Sequence, residues 1–355
     1  MDLRMSKSKR NDALASGGWV IRLLLTGSLG LNIYLLFFRT PVPDVPPPVV
    51  GEAVLETGET PVVEGVQVEA PVDDVAKPVA VVMPTYKHLQ LKVKGSIAAT
   101  FGKALGSEDG DLVSAFYSRI FMWKLDLKKD VRPNDVLTLL YSIGADGQVD
   151  IPTATYVSLK NRETYQAYSY RAKGQPWDQF FDARGVEVAD RLVNGPIKDY
   201  EQVTSLLKDR PTHKGVDFKA PVGTPVLSPF AGKVTRVNWS TRYNGRCIEV
   251  RNNDGTLAKF LHLDKVASGI APGRTVRAGE VLADSGNTGR STAPHLHYQL
   301  ERRNGRVLDP FETHDTFQIT LDNKDMAKFS LLVEALDSQI AGESPRIGAA
   351  ALATP

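Results

Sequence analysis

The sequence predicts a mainly β domain, an antiparallel and partly open sheet or split barrel, preceded by a small α+β domain and by an N-terminal transmembrane helix. Three observations carry that expectation. From about Asp199 the chain becomes a succession of short strand-type segments separated by Gly-rich turns, among them "TPVLSPF", "GKVTRVNW", "RCIEVRN", "LAKFLHL", "TVRAGEVLADSG" and "HLHYQLE". Between Tyr86 and Pro196, two helical apolar patterns precede three strand patterns. Near the start, residues 19 to 38 are almost wholly apolar, long enough to cross a bilayer as a helix.

In chain order, residues 1–18 carry Arg4, Lys7, Lys9 and Arg10, and the positive-inside rule places this segment in the cytoplasm and the rest of the chain outside. In "WVIRLLLTGSLGLNIYLLFF", Arg22 lies one turn from the start, where its long side chain can snorkel to the headgroups, and Trp19 and Tyr34 suit the interface. Arg39, Thr40 and Pro41 follow instead of a small-residue cleavage site, so the run is expected to remain as an anchor. Residues 39–85, rich in Pro and acidic side chains, cannot bury enough surface to order themselves and read as a tether. The α+β domain occupies 86–198: helices over "SIAATFGKALG" and "DLVSAFYSRIFMW", the first stopped by Gly106, then strands over "DVLTLLYS", "TATYVSLK" and "TYQAYSYR". The β domain spans 199–320. A helix over 321–341 follows, with Met326, Phe329, Val333, Leu336 and Ile340 at helical spacing, and residues 342–355 read as a disordered tail.

Composition removes some function classes. There are 43 basic and 41 acidic residues, a net charge of +2, and no Lys/Arg stripe interleaved with aromatics, so nucleic acid is not an expected partner. The single cysteine, Cys247, forbids an intramolecular disulfide and any Cys-based zinc knuckle; in "RCIEV" it takes a strand core position.

The histidines are more informative. In "PHLHYQL", strand alternation puts His295, His297 and Gln299 on one face and Leu296, Tyr298 and Leu300 on the other. Seven residues alone leave core filling open. Yet four of the six histidines, His213, His262, His295 and His297, fall between positions 213 and 297, and "THKGVDF" places an acid four residues after His213. A ligand set of His213, Asp217 and His297 would supply three N and O donors and leave a fourth position for water, the arrangement of a hydrolytic zinc site. His262 and His295 would then be spare imidazoles suited to proton transfer.

These residues resemble a known family. "HKGVDFKAPVGTPVLSPFAGKV", "FLHLD" and "VRAGEVLADSGNTGRSTAPHLHYQL" are similar, in that order, to the LytM/lysostaphin-type zinc endopeptidases that cut peptidoglycan cross-links. The resemblance implies Zn2+ bound by His213, Asp217 and His297, with His262 and His295 as catalytic residues that position or deprotonate the attacking water and stabilise the oxyanion. "FMWKLDLKKDVRPNDVLTLLYS" looks like the non-catalytic domain of membrane-anchored members from Gram-negative bacteria, which implies an inhibitory or substrate-positioning role for 86–198. The resulting expectation is a periplasmic endopeptidase on the inner membrane, cutting D-alanyl-diaminopimelate cross-links. Its expected partners are peptidoglycan stem peptides, the membrane and a regulatory envelope protein. The competing readings are a silent module that binds peptidoglycan or activates an amidase, and a structural protein with core histidines. The sequence departs from the family in the abbreviated stretch "VTSLLKDRPTHKGVDF" before His213, in Ala293 for a usual Gly, and in Asn252 for a frequent His.

Overall fold

Two main antiparallel sheets organise the described residues: the larger has an apolar face and a polar face, and the first is covered by helices on both faces. The computed structural model describes residues 86–342 apart from Lys208 and Pro211. The expected basic segment (1–18), anchor (19–38), linker (39–85) and nearly all of the tail lie outside the described residues. Among the described residues, no helix is long and apolar enough to cross a membrane.

The first sheet runs in the order β1 (Lys87–Lys92), β2 (Val136–Ile143), β3 (Val149–Ser158), β4 (Glu163–Tyr170) and β5 (Gln179–Phe181). Helices α1 (Ile97–Leu105) and α2 (Ser107–Phe121) cross between β1 and β2. Ser96 caps α1 by accepting a hydrogen bond from the Ala99 N–H at 3.1 Å. The two helices touch so closely at Gly110 that a Cβ there would lie 2.5 Å from Gly102 Cα, so only glycine fits. Phe101, Tyr117, Phe121, Leu137, Leu139 and Tyr156 fill the core beneath them. Strand β1 was not expected from the sequence; Leu89 and Leu91 turn inward while Lys87, His88 and Gln90 stay exposed.

The chain continues through β6 (Arg191–Leu192), β7 (Gln202–Ser205), β8 (Val216–Lys219), β9 (Pro225–Leu227), β10 (Gly232–Val237), α3 (Thr241–Asn244), β11 (Arg246–Asn252), β12 (Leu257–Leu263), β13 (Lys265–Val266), β14 (Thr275–Val276), β15 (Val281–Asp284), β16 (His295–Glu301), β17 (Val307–Leu308), α4 (Pro310–Thr313), β18 (Thr316–Phe317) and α5 (Asn323–Ala341). The large sheet has the order β14-β10-β11-β12-β16-β8-β7, with β17 also on β16. Val216, Phe218, Ile248, Val250, Ala258, Phe260, Leu296, Tyr298 and Leu300 fill the core on one face. The other face carries Asp217, His297, Gln299, Lys259 and Glu249, as the register requires. The expected single strand "TVRAGEVLADSG" is two. A turn in which Glu280 N–H donates to Arg277 O, with Gly279 at φ 76°, separates β14, which pairs with β10, from β15, which pairs with β9 and β13.

Helix α5 does not pack on the large sheet. It lays Phe329 and Leu336 against Leu140, Tyr168 and Phe181 of the first sheet, on the face away from α1 and α2. Tyr168 OH donates to Asp337 at 3.0 Å, Tyr170 OH to Asp325 at 3.2 Å, and Lys173 N–H to Asp325 at 2.8 Å. On the way there, β18 pairs with β6 and Glu187 N–H donates to Ile319 O, so the C-terminal segment straps back over the upstream fold.

Candidate metal centre

The site is built on the polar face of the large sheet, where β8 and β16 run side by side. Asp217 pairs directly with His297, so their side chains leave from the same face. His213 arrives from the loop entering β8. That approach depends on Gly215, where a Cβ would lie 2.4 Å from Tyr298 O and 2.7 Å from His297 Nε2. One ligand atom each from His213, Asp217 and His297 lies within 4.8 Å of the others. His297 Nδ1 is 2.8 Å from Asp217 Oδ1, and His213 Nε2 is 3.1 Å from Asp217 Oδ2.

The second of these contacts is not a hydrogen bond. His213 Nδ1 lies 3.0 Å from Leu206 O, which can only accept, so the ring proton sits on Nδ1. Nε2 is left buried, without a hydrogen-bond partner, its lone pair beside a carboxylate oxygen. Two lone pairs in that relation call for a cation between them, and the N, N, O donor set suits a borderline divalent metal. Without a metal, burial opposes ionisation of Asp217, but the His213 and His297 imidazoles, when they turn a proton to the carboxylate, more than offset it and hold the carboxyl well below the usual carboxylate range. The residues present therefore fit a metal.

His262 and His295 form the other half of the site. Their rings are 4.8 Å apart, and His262 is 6.1 Å from His297. His262 Nδ1 donates to Thr288 O at 2.9 Å, and His295 Nδ1 to Ala293 O at 2.8 Å. Both rings thus keep their protons on Nδ1 and carry a free lone pair on Nε2; that of His295 is 3.8 Å from Asp217 Oδ1. Burial and the neighbouring imidazoles push the His262 pKa down to about 4, which leaves the ring neutral and proton-accepting at pH 7.

The position of His262 is not what alternation gives. Leu261 pairs with His297, so regular alternation would bury His262 with Phe260 in the apolar core. Instead His262 adopts φ 63°, the left-handed region, and this reverses the phase: its ring joins His295 on the site face, and the next residue, Leu263, enters the core. Arg210 is an addition that the sequence reading missed. Its Nη2 reaches Asp217 Oδ2 at 3.1 Å while the side chain stays largely exposed. The signal was its place three residues before His213 in "DRPTHKG". The remaining histidines stand apart from this cluster: His88 is exposed, and His314 accepts from or donates to Tyr298 OH at 2.9 Å behind the sheet. Cys247 is fully buried on β11.

A histidine and aspartate cluster that fits a metal thus lies on the polar face of an open antiparallel sheet. Residues 211–310 match Peptidase family M23, and this segment is an M23 (LytM-type) peptidase domain. Over 197 residues the chain is 28% identical to the peptidoglycan DD-endopeptidase ShyC of Vibrio cholerae, a match covering 52% of this chain and 43% of ShyC. Over 271 residues it is 26% identical to the DD-endopeptidase ShyA of the same species, covering 73% of this chain and 60% of ShyA. The chain thus spans about half the length of these relatives. A crystal structure of a zinc-containing peptidase from Vibrio cholerae aligns at 25% identity and a TM-score of 0.31, over 64% of this chain and 70% of that one.

Proposed function

We propose that this protein is a zinc-dependent endopeptidase that hydrolyses the peptide cross-links of peptidoglycan, of the D-alanyl-diaminopimelate type. The observation that carries the reading is the buried, unpartnered Nε2 of His213 facing the Asp217 carboxylate, with the His295 and His262 imidazoles a few ångströms from the triad. The names of the Vibrio cholerae relatives support the substrate class.

His213, Asp217 and His297 would hold the zinc ion. When bound, it supplies a Lewis acid that polarises the scissile carbonyl and lowers the pKa of the attacking water. His262, fixed by Thr288 with its Nε2 lone pair toward the site, accepts the proton of the attacking water. Once protonated it is the acid that passes the proton to the leaving amine. His295, fixed by Ala293, orients the water and, when protonated, donates to the developing oxyanion. The Arg210 guanidinium steadies Asp217 through Oδ2, the carboxylate oxygen that also faces His213.

The same proposal places the protein in the inner membrane through residues 19–38, with the N-terminus in the cytoplasm and the enzyme domain in the periplasm. The apolar run, the basic residues before it and the Pro-rich stretch after it support that placement. A regulatory envelope protein as partner is part of this reading.

The test is to incubate the full-length chain in detergent with purified sacculi and to identify released muropeptides by mass spectrometry. Loss of cross-linked dimers with a matching gain of monomers is expected, abolished by chelation and restored by zinc. Intact cross-links after long incubation with zinc overturn the proposal in favour of a silent binding module.

A further inference from the structure

The loops that hold His262 and His295 carry exposed arginines, two of which have no carboxylate partner among the described residues. The segment 241–246, containing α3, and the loop 286–291 are joined by Arg290 N–H donating to Tyr243 O and Arg246 N–H donating to Thr288 Oγ1, both at 2.9 Å. They meet through two glycines in the left-handed region. A Cβ on Gly245 would lie 2.4 Å from Thr288 O, and one on Gly289 would lie 2.1 Å from Gly245 N, so no larger residue permits this contact. The same loop touches both imidazoles that are not metal ligands: Thr288 O meets His262 Nδ1 at 2.9 Å, and Ser291 Oγ meets His295 Nδ1 at 3.1 Å.

Arg290 therefore stands between the residue that fixes His262 and the residue beside His295, and Arg242 and Arg246 stand on the segment facing it. All three are exposed. Arg246 has Asp264 at 4.0 Å, with both groups half exposed. Arg242 lies over the Tyr243 ring, and among the described residues neither Arg242 nor Arg290 has a carboxylate within ion-pairing distance. The contrast with the sheet floor is plain: there Arg236 is held by Glu249, and Lys259 by Glu301.

We propose that Arg242 and Arg290 form a carboxylate-recognition subsite that binds free carboxylates of the substrate peptide beside the scissile bond. This specificity for anionic over neutral cross-links rests on the endopeptidase reading above. Guanidinium forks match a carboxylate in two-point geometry, and their mounting on welded loops limits the ordering that binding requires. Unpaired cations at the mouth of a site also draw anionic ligands toward it.

The experiment uses two synthetic cross-linked peptides, identical except that one carries free carboxylates and the other carboxamides. Binding is measured by fluorescence anisotropy, and turnover by chromatography, with the full-length zinc-loaded chain in detergent. The carboxylate peptide should bind about tenfold more tightly to the native chain, with R242Q and R290Q each removing about threefold and the double variant erasing the preference. The loss should appear in KM rather than kcat, spare the carboxamide peptide, and be smaller in R242K and R290K. Equal affinity of the native chain for both peptides, or equal losses on both in the variants, overturns the subsite. Hydrolysis of both peptides at equal rates, with no preference in binding, defeats the subsite and keeps the endopeptidase. A binding preference with neither peptide cut keeps the subsite and defeats the endopeptidase.

Discussion

The metal triad and the histidine pair lie within a few ångströms of each other, yet His262 is placed by a different means from Asp217 and His297. Asp217 and His297 are set by strand register, two residues directly across a regular antiparallel ladder. Of the pair, only His262 is set by irregular backbone, a left-handed residue that reverses the phase of its strand; His295 shares the face of His297 by alternation, and in both cases a carbonyl pins Nδ1. Strand register sets Asp217, His297 and His295, whereas a loop brings in His213 and the left-handed backbone at His262 turns its imidazole to the site face. If this division is right, the two halves should fail separately. His297→Ala removes a donor from the triad, and metal affinity should fall by more than about 100-fold with hydrolysis lost, read by zinc content after dialysis and by muropeptide release.

That division also explains what the sequence disclosed. The polar and apolar faces of "PHLHYQL" were legible from alternation alone, because Leu296, Tyr298 and Leu300 obey it and are fully buried. The spacing in "HKGVDF" was legible as a convergence of His213 and Asp217, although the reason for its glycine, the approach to Tyr298 O, needs the partner strand. His262 was legible from the clustering of histidines between positions 213 and 297 and from the family resemblance, but not from its own strand pattern, which points it into the core. The packing of α5 on the first sheet was equally hidden: its helical spacing showed an apolar face but not which surface that face would meet.

His262→Asn sharpens the comparison from the other side. Asparagine tolerates the left-handed region, so the backbone and the triad should survive, zinc should stay bound, and turnover should fall by about 10²- to 10⁴-fold through loss of the proton acceptor. Loss of zinc along with activity would show that the two halves are not separable.

The pH dependence of the metal-free protein tests the same ring. Its pKa is about 4 when folded and near 6.5 when unfolded, so the unfolded chain binds more protons between these values. Stability should therefore be fully present above about pH 6.5 and decline as pH falls toward about 4, by on the order of 2 to 3 kcal/mol. Urea titrations of the native chain and His262→Asn across that window should differ in slope; parallel curves would remove His262 as the cause.

Gly215→Ala should act on the triad without touching any donor. The added methyl would press on Tyr298 O and on the His297 ring, so folding should lose about 1 to 3 kcal/mol and zinc should bind more weakly. Thermal unfolding with and without zinc separates the two effects: a smaller zinc-induced rise in Tm than in the native chain is expected.

Arg210→Ala should give the smallest change and decides how far the triad extends. Its guanidinium touches Asp217 Oδ2, but most of the side chain lies in water, where such a contact is worth about 0.2 to 1 kcal/mol. Zinc affinity should drop only a few-fold, and salt should erase the difference, because an exposed charge pair is screened and a buried donor set is not. A loss comparable to that of His297→Ala would mean that Asp217 is oriented from outside the sheet, and that register alone does not place the metal centre.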